Sequence, residues 1–113
     1  MNRIFITGIG AVSCLGNDRR TLWKNLLAGQ CGIDTLRVHD TKDMEVNIGG
    51  EVLDLNEARV NVNDSVSARK MDRASQFAVH ATYEALEDAG LPVHEIGDNA
   101  AVILGAGLAG LET

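Results

Sequence analysis

A glycine-rich turn near the end of the chain limits the possible folds more than any other feature. The turn, Gly105-Ala106-Gly107-Leu108-Ala109-Gly110, directly follows an apolar run at residues 100–104. A buried strand followed by G-x-G-x-x-G is typical of dinucleotide sites, where the glycines let a pyrophosphate approach the backbone. Such a site also needs a helix, another strand and an acidic residue about 20 positions later. Only three residues follow here, so we expect a fragment of a larger fold or another role for the turn.

The composition favours one soluble domain. The 113 residues are 45% hydrophobic, with no apolar stretch near the ~20 residues that a membrane span needs. A net charge of −6 argues against general nucleic-acid binding, which depends on basic surface. Arg3 is followed by only three apolar residues before glycines begin, so no signal peptide is predicted. We expect a cytoplasmic protein that binds neither nucleic acid nor a membrane.

The cysteines and histidines form no recognisable chemical motif. Cys14 and Cys31 match neither a C-x-x-C pair nor a zinc set, so both are predicted to be free thiols. Cys14 is interpreted as a small buried thiol rather than a nucleophile. His80 falls within a predicted helix and has no second ligand at i+4, which favours a packed or surface histidine. No metal and no cofactor are expected.

The first half of the chain predicts a strand, a helix and a hairpin. Residues 3–7 have the consecutive apolar side chains of a buried strand. Asn17 or Asp18 can cap a helix that Gly29 ends. Alternating apolar residues around Gly49-Gly50 suggest a short hairpin or edge strand. The predicted helix carries an apolar stripe of Leu22, Trp23, Leu26 and Leu27.

The second half predicts a long helix and a final strand. The helix begins between Ser67 and Asp72 and runs to residue 89, with Gly90 as its stop signal. Its predicted apolar face comprises Met71, Ala74, Phe77, Ala78, Ala81, Ala85, Leu86 and Ala89, and its polar face includes Gln76, Glu84, Glu87 and Asp88.

The order of these elements predicts an α/β fold, β-α-hairpin-α-β, with a mainly parallel sheet. The last predicted strand, residues 100–104, is apolar and has no obvious neighbours within the chain. Such an exposed edge would invite pairing with another chain. We therefore interpret the sequence as the N-terminal part of something larger.

Three segments in order resemble one family. Residues 6–13 (ITGIGAVS), 15–17 (LGN) and 22–29 (LWKNLLAG) are similar to the opening of a β-ketoacyl-acyl-carrier-protein synthase, and synthase II fits best. Residues 69–73 (RKMDR) leading to 84–91 (EALEDAGL) resemble the family's second helix. Residues 102–111 (VILGAGLAGL) resemble its strand and glycine turn. The resemblance covers nearly the whole chain, so residues 1–113 are interpreted as the N-terminal part of the synthase N-terminal domain.

The resemblance implies a partial thiolase-like fold, an incomplete first half of a protein that is normally a homodimer. It also implies decarboxylative Claisen condensation in fatty-acid elongation, with acyl carrier protein and an acyl thioester as partners. A cysteine and two histidines carry out this chemistry in the family, and all lie C-terminal to this segment. Cys14, Cys31, His39, His80 and His94 do not match them. No catalytic residue is therefore assigned, and the chain alone is expected to be inactive.

Two peripheral assignments follow from the same resemblance. Leu108 matches a position that lines the acyl pocket, with Gly107 beside it in the turn. Arg69 and Lys70 match a basic pair that faces the acidic carrier protein, although they would also suit a solvated helix start. Two alternatives stay open: a short non-catalytic relative that binds carrier protein or a full-length synthase, and a dinucleotide-binding module.

Overall fold

The computed structural model describes residues 2–38, 40–61 and 67–107. These contain two α-helices and one two-stranded sheet, together with 3-10 helices at Glu57–Arg59, Ala68–Lys70 and Val93–Glu95. Two compact units divide the chain. The first combines Met1–Gly10 with Asn56–Thr113, and the second is Ala11–Leu55.

Helix α1, Arg19–Leu27, belongs to the second unit and has the predicted limits. The Asp18 carboxylate accepts hydrogen bonds from the Thr21 backbone N–H (2.8 Å) and the Thr21 hydroxyl (2.6 Å), which satisfies the first turn. Gly29 follows the helix with a φ of 66°, a conformation that glycine adopts without strain. The apolar stripe stays largely uncovered, since Trp23 is 61% and Leu27 68% exposed.

The sheet lies in the same unit and is antiparallel. Strand β1, Asp34–Thr35, pairs with strand β2, Ile48–Gly49, so that Asp34 faces Gly49 and Thr35 faces Ile48. The predicted short strand near Gly49-Gly50 is therefore present.

The predicted parallel sheet is not present among the described residues. Residues 3–7 and 100–104 lie outside any helix or strand. Their apolar side chains are the most exposed in the structure, with Ile4 at 94% and Ile103 at 93%. A strand requires a hydrogen-bonded neighbour, and neither segment has one in the part of the chain that the structure describes. The apolar pattern of these two segments predicted strands, and the described structure assigns a strand to neither of them.

Helix α2, Arg73–Ala89, belongs to the first unit. Its predicted end is confirmed, and it begins one residue after the predicted range of Ser67 to Asp72. The Asp72 carboxylate caps it by accepting a 2.6 Å hydrogen bond from the Ser75 backbone N–H. That bond lowers the pKa of Asp72, so the cap is weakened only when acidification protonates the carboxyl. Gly90 ends the helix in the left-handed conformation, with φ 64°.

The buried side of α2 differs from the prediction. Its fully buried residues are His80 (3% exposed) and Glu84 (7% exposed), which lie one turn apart. The sequence placed Glu84 on the polar face, and that assignment was wrong. The predicted apolar residues, including Phe77 and Leu86, are only partly buried. Among the described residues of this unit, Val60, with no exposed surface, and Ala68 are buried as well.

Residues 8–10 pass directly over the backbone of α2. A Cβ added to Gly8 would overlap the Ala85 carbonyl oxygen, and one added to Gly10 would overlap the Ala81 carbonyl oxygen. The Ile9 backbone N–H, between them, donates a 3.1 Å hydrogen bond to the Asp88 carboxylate. Both glycines are therefore required for the close approach of residues 8–10 to the helix backbone.

Candidate functional site

The predicted basic pair lies on a 3-10 helix, Ala68–Lys70, immediately before α2. Ala68 is buried (4% exposed), whereas Arg69 and Lys70 are exposed. The buried Ala68 anchors the turn to the unit, and the two residues after it expose their positive charges to solvent.

Side chains on both sides hold this turn in place. The Ala68 backbone N–H donates to the Asn61 side-chain oxygen at 2.8 Å. The Gln76 amide, from the first turn of α2, donates to the carbonyls of Ala68 (2.9 Å) and Met71 (3.1 Å). Because polar groups that reach backbone atoms order a loop, the direction of the basic pair is set by Asn61 and Gln76. Sequence reasoning missed both supports.

Other cations nearby already have intramolecular partners. The Arg73 guanidinium stacks over the Phe77 ring at 5.0 Å and donates to the Gln76 side-chain oxygen at 3.3 Å. Arg59 forms a 2.9 Å ion pair with Glu87. These contacts engage Arg73 and Arg59 in stabilising the unit.

The predicted acyl-pocket residues lie at the limit of the described structure. Leu108 falls outside the described residues. Gly107 is exposed, and a Cβ added there or at Gly105 would meet nothing within 4 Å. The acyl-pocket role of Leu108 and Gly107 thus stays a prediction.

Both cysteines are free, as expected, but Cys14 is exposed rather than buried. The two thiols line one cavity of about 170 Å³ in the unit Ala11–Leu55. Its wall also includes Asp34, Arg37 and Glu51. No sequence pattern predicted this cavity, because its residues come from segments that the predicted elements did not bring together.

The charged residues of the cavity are bonded to one another and to the backbone. The Glu51 carboxylate accepts hydrogen bonds from the backbone N–H groups of Arg37 (2.7 Å) and Val38 (2.9 Å). The Arg37 guanidinium donates to Asp34 at 2.7 Å. A backbone hydrogen bond from Thr35, followed by the Arg37 contacts, lowers the pKa of Asp34. This network holds the charged part of the cavity wall in place.

Two further features bear on function class. In the described ranges, no three His, Cys, Asp or Glu side chains converge as a metal site would require. Within the same ranges, no helix has the length and apolarity needed to cross a bilayer.

Comparison with known proteins assigns the family. The pattern of the family described as "Beta-ketoacyl synthase, N-terminal domain" matches residues 1–113. The chain belongs to this family. The family assignment agrees with the resemblance read from the sequence and replaces the dinucleotide interpretation of the glycine turn.

Relatives of this ketosynthase domain are much longer than the chain. The chain is 42% identical to 3-oxoacyl-[acyl-carrier-protein] synthase 2 of Staphylococcus aureus (strain COL) over 113 residues, which cover 98% of the chain and 27% of that relative. The synthase 2 of Synechocystis sp. is 35% identical over 97% of the chain and 26% of its own length. The chain therefore spans about a quarter of the curated relatives it matches.

A solved structure supports the fold as well as the sequence relationship. "The ishigamide ketosynthase/chain length factor" matches 81% of this chain and 22% of its own, with a TM-score of 0.71 and 33% identity. The helices and small sheet described above thus correspond to a partial ketosynthase fold.

Proposed function

We propose that this chain is the N-terminal segment of a β-ketoacyl-acyl-carrier-protein synthase that elongates fatty acids. The observation that carries the proposal is the family match over residues 1–113. It is supported by identity to synthase 2 proteins along almost the whole chain. The uncovered apolar segments at residues 3–7 and 100–104 fit a unit whose sheet is completed by further polypeptide.

The proposed reaction is a decarboxylative Claisen condensation. A cysteine thiolate takes the acyl chain as a thioester, which divides one difficult reaction into two easier steps. Malonyl-carrier protein then loses carbon dioxide, and its carbanion attacks the thioester carbonyl, releasing the thiolate. Oxyanion-hole donors stabilise the charge that develops on that carbonyl oxygen. We propose that polypeptide beyond this segment supplies these groups.

The proposed contribution of this segment is recognition. Arg69 and Lys70 lie exposed on a braced turn and are proposed to attract the acidic carrier protein. Leu108 and Gly107 are proposed to border the acyl chain. Neither role requires a nucleophile or a proton-transfer group, which agrees with the absence of an assigned catalytic residue in the sequence.

The purified 113-residue chain is expected to release no carbon dioxide from malonyl-carrier protein. Its Cys14 and Cys31 line a cavity together with carboxylates and a guanidinium, and no histidine is among the described residues of that wall, whereas an activated thiol of this kind needs an adjacent base. The assay compares this chain, with acyl- and malonyl-carrier protein present, against a no-protein control. A longer polypeptide that carries the chain at its N-terminus should be active. Release above the control by the chain alone would contradict the proposal.

Reversing the charge of Arg69 is expected to weaken carrier recognition in that longer enzyme. Because like charges across an interface repel, Arg69→Glu should raise KM for carrier-linked substrate on the order of tenfold with little change in kcat. Lys42→Glu is a matched control, since it makes the same charge change on an exposed side chain of the other unit. Substrate linked to pantetheine alone should be unaffected by either variant. Equal effects of the two variants would show that net charge, not the basic turn, governs KM.

A further inference from the structure

Cys14 and Cys31 both line the cavity in the unit Ala11–Leu55. The Cys14 sulfur lies against the backbone of Gly32 and Gly50: a Cβ added to these glycines would stand 2.6 and 2.9 Å from Sγ. Both glycines therefore leave the space that the Cys14 side chain occupies. Cys31 is the residue next to Gly32, and consecutive Cα atoms are only about 3.8 Å apart.

The backbone at Cys14 is held by hydrogen bonds of a turn, whereas Cys31 lies outside any helix or strand. Cys14 lies in a turn closed by paired backbone hydrogen bonds between Ser13 and Gly16, at 2.9 and 3.1 Å. Cys31 precedes β1 in a segment outside any helix or strand, and its thiol contacts the Ile33 carbonyl oxygen at 3.8 Å. A disulfide requires Cα atoms about 4.4–6.8 Å apart. Forming the bond would require the Cys31 thiol to leave the Ile33 carbonyl and turn toward the Cys14 sulfur.

We propose that Cys14 and Cys31 form an intramolecular disulfide when the protein meets a peroxide. Hydrogen peroxide oxidises one thiol to a sulfenic acid and releases one water molecule. The second thiol attacks that sulfur, its proton and the hydroxyl leave as a second water, and the Sγ–Sγ bond forms. Two thiols and one peroxide thus give one disulfide and two waters, and a dithiol reductant reverses the change.

The bond would join the two ends of α1. It encloses residues 15–30, which contain the whole helix and its Asp18 cap. A cross-link of this kind stabilises a unit mainly by restricting its unfolded ensemble. The oxidised chain should therefore be cut more slowly by trypsin within α1, after Arg20 and Lys24, than the reduced chain.

The test is peptide mapping after treatment with hydrogen peroxide. Trypsin places Cys14 in the peptide of residues 4–19 and Cys31 in the peptide of residues 25–37. We expect a linked pair of these peptides, lighter than their sum by two hydrogen atoms, and its loss after reduction. The yield should not depend on protein concentration, because the bond forms within one chain. Cys31→Ser should abolish the linked pair and leave Cys14 open to alkylation.

A comparison with the unfolded chain separates proximity in the fold from proximity in the sequence. In concentrated urea the same two thiols can still meet through a flexible loop, but at a lower effective concentration. Linkage should therefore be on the order of tenfold slower in urea than in buffer. Equal rates in buffer and urea, linkage only between different chains, or overoxidation without linkage would each overturn the proposal.

Discussion

Replacing Gly10 by alanine is expected to destabilise the first unit severely, by about 3 kcal/mol or more, because it overpacks a backbone contact. The added Cβ would overlap the Ala81 carbonyl oxygen and lie 2.7 Å from the Ala81 carbonyl carbon. Both atoms belong to the α2 backbone and cannot rotate away as a flexible side chain would. Relief requires residues 8–10 to move off the helix, which would also stretch the hydrogen bond from Ile9 to Asp88. The measurement is urea unfolding followed by circular dichroism.

Gly97→Ala is the matched control for this prediction. Gly97 belongs to the same unit, and a Cβ added there would meet nothing within 4 Å. Surface changes of this kind usually alter stability by no more than about 0.5 kcal/mol. If Gly10→Ala and Gly97→Ala unfolded at the same urea concentration, that result would contradict the close contact between residues 8–10 and α2.

The helices were predictable because their limits depend on local chemistry. Asp18 and Asp72 each accept a hydrogen bond from the backbone N–H group three residues ahead, and Gly29 and Gly90 adopt positive φ. Each of these effects involves only neighbours in the sequence. The apolar periodicity and the capping residues together were therefore enough to predict where both helices lie.

The packing was less predictable because it depends on distant segments. Periodicity alone assigned Glu84 to a polar face, whereas the fold buries it together with His80. Likewise, a glycine that ends a strand and a glycine that admits a helix backbone look identical in sequence, as at Gly8 and Gly10. Strand propensity was visible at residues 3–7 and 100–104, but a ladder also needs neighbours that the described chain does not contain.

The candidate site shows the same division. The exposed positive charge of Arg69 and Lys70 could be inferred from residue type and family resemblance. The side chains that hold their turn could not be inferred in this way. Asn61 and Gln76 both bond to Ala68, and they lie seven and eight residues from it in the sequence. The thiol cavity required contacts between the turn at Cys14 and the segment at Gly32, which no local pattern encodes.

Leu108→Phe is expected to shift the longer enzyme toward short acyl donors. If Leu108 borders the acyl chain, the larger ring occupies space that the distal methylenes of a long substrate need. Displacing one or two methylenes changes transition-state binding by about 1–3 kcal/mol, or roughly 10- to 200-fold in kcat/KM. The measurement is the ratio of kcat/KM for long and short acyl donors. Short donors end before the obstruction, so their values should change little.

Two further variants distinguish a pocket wall from ordinary packing. Leu108→Ala should shift the ratio the other way, because it adds room where phenylalanine removes it. Leu91→Phe makes the same enlargement at a residue that is 40% exposed, and it should leave the ratio unchanged. A general loss of packing would lower kcat/KM for all donors together, whereas a pocket wall changes long and short donors unequally. An unchanged ratio in Leu108→Phe would therefore exclude Leu108 from the acyl pocket.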